Sequence, residues 1–273
     1  MTEDELAVFV RDIGSRVVRC DNVWWVENQP CFFRTLVPMI ELVPSLTKYP
    51  RRTWLGGAKH AVPKGSTANS VQSYFIDNRV AEYSLAKVGH SHANKIRKGL
   101  KNFHWRRIDS LDHFNRCAYP VYLVFLQRTG YRYKQERRSQ PHFEKWARAL
   151  FANPKVGVCG AYQGERLVAV SIHYLLEKMF IHATYFSDNE SQHLRIFDFV
   201  VHNLREEAAA SGANLLFLGP QTGVAGIDRA KLDRGFSLVT QEAYLRINPL
   251  VDVVLKTFGS ARYLRLKGVI PSS

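Results

Sequence analysis

The sequence predicts an α/β fold in which a mixed, largely antiparallel sheet is flanked by helices. Three apolar runs, at Lys155–Tyr162, Leu167–Leu176 and Met179–Phe186, follow one another with only short turns between them, as in an antiparallel meander. Helical spacing of apolar residues follows over His193–Ala210, and a short buried strand is predicted at Asn214–Leu218. The rest of the chain is organised around this region, although a scaffold alone does not name a reaction.

The ends of these elements are set by residues that favour turns and helix termini. The turn Gln163-Gly164-Glu165-Arg166 separates the first two strands, and Glu177-Lys178 separates the second strand from the third. Ser211-Gly212 ends the helix, and Gly219-Pro220 ends the strand that follows it. Within the helix the apolar positions are Leu194, Phe197, Val200, Val201, Leu204 and Ala208.

The N-terminal part of the chain contains shorter predicted elements. Glu3–Ile13 has the spacing of an amphipathic helix, and Asp21-Asn22 lies between apolar runs that are typical of a hairpin. The predicted strands are Val17–Cys20, Val23–Val26, Cys31–Phe33 and Val71–Ile76. Val37–Ser70 is rich in proline and glycine, so it is predicted to be a long ordered loop.

The middle of the chain is predicted to be mainly helical. A basic helix is predicted at Ser91–Leu100 with Ser91 as its N-cap. A strand at Phe103–Ile108 and helices at Leu111–Arg128 and Gln140–Phe151 follow. The segment Tyr131–Arg138 between the two helices is predicted to be exposed, aromatic and basic.

The formal net charge of +14 is large, and the basic residues are clustered. No acidic residue lies between Glu82 and Asp109, and none lies between Leu42 and Ile76. The first of these spans contains Lys87, Lys95, Arg97, Lys98, Lys101, Arg106 and Arg107. Such a field attracts polyanions, so the candidate partners are RNA, DNA, a phosphorylated metabolite and an anionic membrane surface. A generally basic, soluble surface without a polyanionic partner is the alternative.

Cysteine placement, the N-terminus and the length of the apolar runs each exclude a class of protein. The four cysteines are scattered, with no CxxC pair and no Cys/His cluster at zinc spacing, so no metal site is predicted. The acidic N-terminus lacks the basic and apolar regions of a secretory signal. The apolar runs fall short of the ~20 residues that a membrane helix needs. These observations predict a soluble, cytoplasmic protein.

The segment Ser91–Lys101, SHANKIRKGLK, precedes a strand, two helices and the meander. In this order it resembles the Fem-type aminoacyltransferases, the FemAB-like branch of the GNAT acyltransferase superfamily. The resemblance continues through Gly164–Ala169, Leu218–Pro220 and Gly226–Phe236, and it covers Leu85 to Ile247. It implies a GNAT-like fold, with a GNAT-like acyltransferase domain at residues 85–273 and a reduced, loop-rich, GNAT-like part at residues 1–84.

The resemblance also implies acyl transfer to an amine or another nucleophile. Acyl-CoA enzymes of the superfamily place a glycine-containing turn at the start of the main helix, where backbone N–H groups bind the pyrophosphate. The corresponding segment here, Ser191–Asp198, contains no glycine. Fem-type enzymes, which take the acyl group from a charged tRNA, also lack this turn, and the basic character of the chain suits a tRNA.

The predicted function is therefore transfer of an aminoacyl group, with aminoacyl-tRNA as co-substrate, to an amine of a small molecule or peptide. Two alternatives stay open. One is an N-acyltransferase that uses acyl-CoA or an acyl-carrier protein. The other is a non-catalytic GNAT-like module that binds nucleic acid. No cofactor other than the acyl donor is predicted.

The resemblance assigns one residue of the candidate site directly. Lys231 matches the pattern Gly-Ile-x-x-x-Lys-x-x-x-Gly-Phe, which implies that its ammonium group stabilises the tetrahedral intermediate. Basic residues and a loop after a strand end are the predicted contacts of the donor or its phosphates. They are Arg97, Lys98, Lys101, Arg195, Gln221 and Thr222.

Candidates for the proton acceptor lie in the meander and the main helix. They are His182, Tyr185 and Asp198, and the sequence does not choose among them. On a regular strand, His182 shares one face with Thr184 while Tyr185 lies on the other. If the two strands pair through the short turn between them, His173 lies near His182.

Overall fold

The computed structural model describes residues 1–130 and 134–269, and for residues 260–262 it describes the backbone alone. The helices are α1 Glu3–Asp12, α2 His90–Asn102, α3 Leu111–Thr129, α4 Gln140–Phe151, α5 Ile196–Ala210, α6 Ala225–Leu232, α7 Pro249–Phe258 and α8 Ser260–Lys267. Within the described ranges, none of these helices is both long enough and apolar enough to span a membrane.

The strands are short at the N-terminus and longer in the meander. They are β1 Val17–Cys20, β2 Val23–Gln29, β3 Phe32–Thr35, β4 Gly57–Ala61, β5 Ser70–Asp77, β6 His104–Arg107, β7 Val156–Gln163, β8 Arg166–Leu176, β9 Met179–Ser187, β10 Leu215–Pro220 and β11 Ser237–Ile247. The predicted class, an α/β fold with a mixed and largely antiparallel sheet flanked by helices, is confirmed.

Contacts between residues divide the chain into two compact units. Unit 1 contains residues 1–2 and 76–219, and unit 2 contains residues 3–75 together with the C-terminal segment that starts at Pro220. The sequence predicts a division between residues 84 and 85. The difference arises because β11, which comes late in the chain, pairs with β4 and thereby joins the C-terminal segment to the N-terminal one.

In unit 1 the strands lie in the order β10, β9, β8, β7, β6. β10 runs parallel to β9, and the other pairs are antiparallel, which is the predicted meander. Seven of the eight residues of β7 are buried, as expected for a strand covered on both faces. Helices α3, α4 and α5 pack against this sheet.

Aromatic residues form much of the core of unit 1. Phe114 of α3 stacks on Phe143 of α4, with 5.5 Å between the ring centroids, and Trp146 meets Phe143 edge-on at 5.3 Å. Tyr122 contacts Phe186 of β9 at 5.3 Å, which fixes α3 to the sheet. Burial of such large apolar surfaces is the main stabilising contribution to the fold.

In unit 2 the strands lie in the order β1, β2, β3, β4, β11, β5. The predicted hairpin is confirmed, with Val17 opposite Val26 and Cys20 opposite Val23. β3 and β4 are parallel, and β4 and β11 are antiparallel. Trp25, Phe33 and Ala58 form a buried cluster on this sheet.

The prediction of a loop throughout Val37–Ser70 is wrong, because the segment includes a 3-10 turn at Arg51–Leu55 and strand β4. Two glycines of this segment, Gly56 and Gly57, are instead needed for close packing. A Cβ atom on Gly57 would lie 2.4 Å from the carbonyl oxygen of Arg246, and one on Gly56 would lie 2.4 Å from that of Cys31.

Two further predictions about helix termini are corrected. Ser91 is not the N-cap of α2, because the helix begins one residue before it and is capped by Gly89. The main helix does not start at His193. A 3-10 turn at Glu190–Leu194 precedes it, and Arg195 separates the turn from the helix. In the predicted aromatic and basic segment, residues 131–133 lie outside the described residues, and Gln135–Arg138 forms a 3-10 turn.

Helices α2 and α5 approach each other closely at a glycine. A Cβ atom on Gly99 would lie 2.8 Å from the Cβ atom of Phe199. We therefore expect Gly99→Ala to lower the free energy of unfolding by about 1–3 kcal/mol, because neither backbone can move away without disturbing the core. Gly226 of α6 is the control, since a Cβ atom there meets nothing within 4 Å. Urea unfolding should show a loss of stability for Gly99→Ala and none for Gly226→Ala. Equal stability of these two variants would contradict the close approach of α2 and α5.

Candidate active site

The loop after β10 is held in place by one buried carboxylate. Asp228 of α6 accepts hydrogen bonds from the backbone N–H of Thr222 at 3.0 Å, from the Thr222 hydroxyl at 2.8 Å and from the Gly223 N–H at 2.9 Å. Gly223 adopts a φ of +73°, which favours glycine. The N–H of Gln221 donates to the carbonyl of Ser73. Gln221 and Thr222, both predicted from the sequence, thus belong to a fixed loop.

Lys231 lies one helical turn beyond Asp228 and is only 8% exposed. Its Nζ atom lies 4.6 Å from the centre of the Phe75 ring and donates a hydrogen bond to the carbonyl of Pro220 at 3.3 Å. Burial lowers the pKa of Lys231 below the ordinary lysine value, and the nearby Asp228 carboxylate opposes part of that effect. The ammonium group is therefore poorly hydrated, which strengthens any bond that it donates to a developing negative charge.

A cleft of about 200 Å³ lies in unit 2 beside this loop. Its lining includes Gln221 and Thr222 and the basic residues Arg34, Lys59 and Arg265. Lys231 does not line this cleft. Asp228 connects Lys231 with the cleft, because it lies near Lys231 on α6 and accepts a hydrogen bond from Thr222 in the cleft lining. The lining is therefore cationic and suited to an anionic group.

Lys59, one of these basic residues, is partly buried and bound to two backbone carbonyls. Its Nζ atom donates to the carbonyls of Val71 and Leu266, at 2.7 Å each. Burial, together with the charge of Lys267, lowers the pKa of Lys59 to about 8. Local sequence does not mark Lys59 as special, because its burial depends on residues far away in the chain, such as Leu266.

Of the candidate proton acceptors, His182 and Tyr185 lie close together in unit 1. Their ring centroids are 6.3 Å apart, and Tyr185 also contacts Phe197 at 5.0 Å. The prediction that they lie on opposite faces of the strand is wrong. Thr184 pairs with Ile172 and His182 pairs with His173, so Ala183 is an extra residue in the ladder. This bulge shifts the alternation of side chains between the two faces of the strand by one residue. The register also confirms that His173 lies opposite His182.

Asp198 lies in the first turn of α5, and its side chain is 2% exposed. One of its carboxylate oxygens is 3.9 Å from Nε2 of His92 on α2. Arg195, just before the helix, adopts the left-handed conformation with φ of +70°. A carboxylate in the first turn already interacts favourably with the positive end of the helix dipole. This helix start is therefore unsuited to a second anion such as a pyrophosphate.

Arg97, Lys98 and Lys101 are all exposed on α2. The helix carries no acidic residue, and Arg97 donates to the side chain of Asn94. The contact of Gly99 with Phe199 seats α2 against the start of α5. The predicted phosphate contacts on α2 are thus brought to the end of α5 that carries Arg195, which is also exposed.

A buried polar cluster that the sequence did not predict lies on β7, β8 and α5. Glu207 accepts hydrogen bonds from Nε2 of His173 at 2.7 Å, from Nε1 of Trp105 at 2.6 Å and from the thiol of Cys159 at 3.5 Å. Burial and the adjacent carboxylate raise the pKa of the Cys159 thiol, so the thiol stays protonated. The Glu207 carboxylate thus accepts from three donors within unit 1.

The candidate residues therefore fall into two groups. Lys231, Gln221 and Thr222 belong to unit 2, whereas His182, Tyr185, Asp198, Arg195 and the α2 residues Arg97, Lys98 and Lys101 belong to unit 1. Sequence reasoning missed Asp228, which connects the residues of the first group. A threonine and an acidic residue at the start of a short helix were the available signal, because such side chains satisfy backbone N–H groups at helix starts.

Removal of the Asp228 charge should loosen the loop. We expect Asp228→Asn to lower the free energy of unfolding by about 1–3 kcal/mol, because a buried N–H or hydroxyl loses its acceptor. Asp233, the residue just after the same helix, pairs with Arg229 at 2.8 Å, but both side chains are exposed, so Asp233→Asn should change stability little. Urea unfolding of both variants measures the difference. A loss no larger than that of the Asp233 variant would contradict this role of Asp228.

Several solved structures resemble the chain over nearly its whole length. A protein described as the C-terminal domain of a "putative lysylphosphatidylglycerol synthetase" from Agrobacterium fabrum has a TM-score of 0.59 at 10% identity, with 97% of this chain and 93% of that chain covered. FemX has a TM-score of 0.58 at 9% identity, with 92% of each chain covered. The chain has their fold.

L-PGS from Bacillus licheniformis has the same fold, with a TM-score of 0.55 at 10% identity over 97% of this chain and 96% of that chain. The predicted resemblance to Fem-type proteins is thus confirmed for the fold, since FemX is among these structures. No family model and no curated protein matches the sequence. Because one fold hosts many reactions, the reaction has to be argued from the site.

Proposed function

We propose that the chain is an aminoacyltransferase that takes an aminoacyl group from aminoacyl-tRNA and transfers it to an amine of a small molecule or peptide. The observation that carries this proposal is Lys231, a buried cation with a lowered pKa beside a loop fixed by Asp228. The fold shared with FemX and with the lysylphosphatidylglycerol synthetase domain supports acyl transfer as the reaction class.

The reaction needs a cationic hydrogen-bond donor beside the carbonyl oxygen that becomes negatively charged. The acceptor amine attacks the ester carbonyl of the aminoacyl donor, a C–N bond forms, and the carbonyl oxygen becomes an oxyanion. The ammonium group of Lys231 donates a hydrogen bond to that oxyanion. Collapse of the intermediate breaks the ester C–O bond and releases the ribose hydroxyl of the tRNA, which takes up the proton that the amine loses.

His182, Tyr185 and Asp198 are the proposed candidates for moving that proton. Asp198 is buried beside His92, so the two side chains together offer a carboxylate and an imidazole at the start of α5. His182 and Tyr185 form a neighbouring pair on β9. A histidine exchanges protons near neutral pH more readily than a tyrosine, which favours His182 over Tyr185 as the base.

A tRNA donor is favoured by charge and by the start of α5. The chain carries a net charge of +14, and α2 presents Arg97, Lys98 and Lys101 without an acidic neighbour on the helix. A large polyanion needs phosphate contacts of this kind, spread over a surface. An acyl-CoA donor is less favoured, because Asp198 occupies the helix turn where a pyrophosphate would bind.

The test is a transfer assay with radiolabelled amino acids. Purified protein is incubated with a pool of charged tRNA and with amine acceptors. Mild alkali then hydrolyses the remaining tRNA ester but not the amide product, and the label recovered in the acceptor is measured. We expect transfer from charged tRNA and none from labelled acetyl-CoA. Transfer from acyl-CoA alone would favour the alternative N-acyltransferase. Nucleic-acid binding without transfer from any donor would favour the non-catalytic module.

A further inference from the structure

Helix α7 exposes apolar side chains to solvent instead of burying them. Leu250 is 77% exposed, Val254 is 54% exposed and Phe258 is 85% exposed. These residues are four positions apart, so they form one stripe along the helix. No residue of α7 is buried, although Val251 and Leu255 on the neighbouring face are half-buried.

A second apolar group lies at the start of this helix. Trp54 and Leu55 are 72% and 70% exposed in the 3-10 turn after β3. The side chain of Asn248, which caps α7, donates to the carbonyl of Trp54 at 2.6 Å, and its backbone N–H donates to that of Gly56 at 2.8 Å. The turn and the helix are therefore fixed to each other, and together they form what we call the α7 surface, composed of Trp54, Leu55, Leu250, Val253, Val254 and Phe258.

Basic residues accompany the α7 surface. Arg51 and Arg52 are exposed in the same 3-10 turn as Trp54. The sequence of α7 and α8 contains one acidic residue, Asp252, which pairs with Lys256 at 2.5 Å. The other described basic side chains of the two helices are Arg265 and Lys267. Basic residues thus outnumber acidic ones in the turn and the two helices that carry the apolar surface, although Arg52 also lies 4.0 Å from Glu27.

We propose that the α7 surface docks on anionic lipid bilayers. An amphipathic helix with leucine and phenylalanine on one face and basic residues beside it lies in the plane of a membrane interface. Tryptophan favours the same depth, and lysine and arginine near an anionic leaflet add attraction to it. Exposed apolar patches of this kind mark interaction sites.

Charge favours an anionic bilayer over a second copy of the chain as the partner of the α7 surface. Two copies meeting through the α7 surface would bring together two molecules of +14 charge and two sets of basic residues. An anionic bilayer instead complements both the apolar stripe and its cationic surroundings. The α7 surface lies within unit 2 and uses none of the candidate catalytic residues, so the inference does not depend on the proposed acyl transfer.

The test is sedimentation of the full chain with lipid vesicles. Vesicles of equal parts phosphatidylglycerol and phosphatidylcholine should bind the protein, and pure phosphatidylcholine vesicles should bind it at least about 10-fold less well. The double variant Leu250→Asp with Phe258→Asp should lose binding to the anionic vesicles by about 10-fold or more. The matched control, the Val8 variant, is Val8→Asp with Leu46→Asp, because it adds the same two charges at apolar side chains that are 52% and 79% exposed elsewhere in unit 2.

Each outcome supports or contradicts the docking of the α7 surface on anionic bilayers. Binding that survives in the double variant, or that is lost equally in the Val8 variant, would overturn it. Equal binding to neutral and anionic vesicles would also overturn it, because the cationic environment would then have no role. If the protein did not bind vesicles but formed a dimer, and the double variant stayed monomeric, the α7 surface would instead bind a second copy of the chain. Circular dichroism checks that each variant is folded.

Discussion

Replacing Lys231 by methionine should lower turnover by about 10²- to 10³-fold while leaving affinity for the aminoacyl donor nearly unchanged. Methionine has a similar length and fills a similar space beside the Phe75 ring, but it removes the ammonium group, which lies 4.6 Å from the centre of that ring and would meet the oxyanion. An interaction made only in the transition state affects kcat and leaves ground-state binding alone. Single-turnover rates and donor Kd values measure the two effects separately.

The matched control for this change is Arg229→Met on the same helix. Arg229 is exposed and pairs with Asp233, so its loss removes one positive charge without touching the buried site. This control should retain turnover. If Lys231→Met retained turnover as well, Lys231 would have no part in the reaction.

The lowered pKa of Lys231 also gives the rate a pH dependence. Lys231 donates to the oxyanion only while it is protonated, so the rate should fall as the pH rises through its pKa. Because burial lowers that pKa, the fall should begin at a lower pH than an ordinary lysine would give. Lys231→Arg should move this alkaline limb to higher pH, since arginine stays protonated.

Neutralising the exposed cations of α2 should weaken binding of tRNA and make it less sensitive to salt. The triple variant Arg97→Gln, Lys98→Gln, Lys101→Gln should reduce the slope of log Kd against log salt by about 2 to 3, if each side chain contacts one phosphate. Affinity at low salt should fall by at least about 10-fold. Filter binding of charged tRNA over a salt series measures both quantities.

A control for this variant removes the same total charge elsewhere in unit 1. Arg116 of α3 and Lys145 and Arg148 of α4 are all exposed, and glutamine at these three positions lowers the net charge by the same amount. If both triple variants lost affinity equally, tRNA would respond to net charge alone and α2 would hold no phosphate site. Unchanged affinity in the α2 variant would contradict the assignment outright.

The sequence was most informative where structure depends on neighbouring residues. The meander strands and α4 follow the predicted boundaries closely, because alternation, helical spacing and turn residues are local signals. β4 was missed because Gly56 and Gly57 serve distant contacts, with Cys31 and Arg246 respectively. The same limit hid the bulge at Ala183, since only the partner strand reveals an extra residue in the ladder.

The candidate site shows a similar division. Lys231 and the loop of Gln221 and Thr222 could be selected from the sequence, because a motif and a strand end mark them. The role of Asp228 and the burial of Lys59 could not, because both depend on segments brought together by folding. The sequence also left open which residue accepts the proton, and His182, Tyr185 and Asp198, which all belong to unit 1, stay candidates for that role.

The pairing of β11 with β4 gives the chain an order of assembly during synthesis. The N-terminal strands β1–β4 leave the ribosome long before β11 does, so the edge of β4 lacks its antiparallel partner while all of unit 1 is being made. The body of unit 1 is contiguous in the sequence and can fold in that interval. Nascent chains therefore carry an unpaired strand edge, and chaperones or premature termination should affect unit 2 more than unit 1.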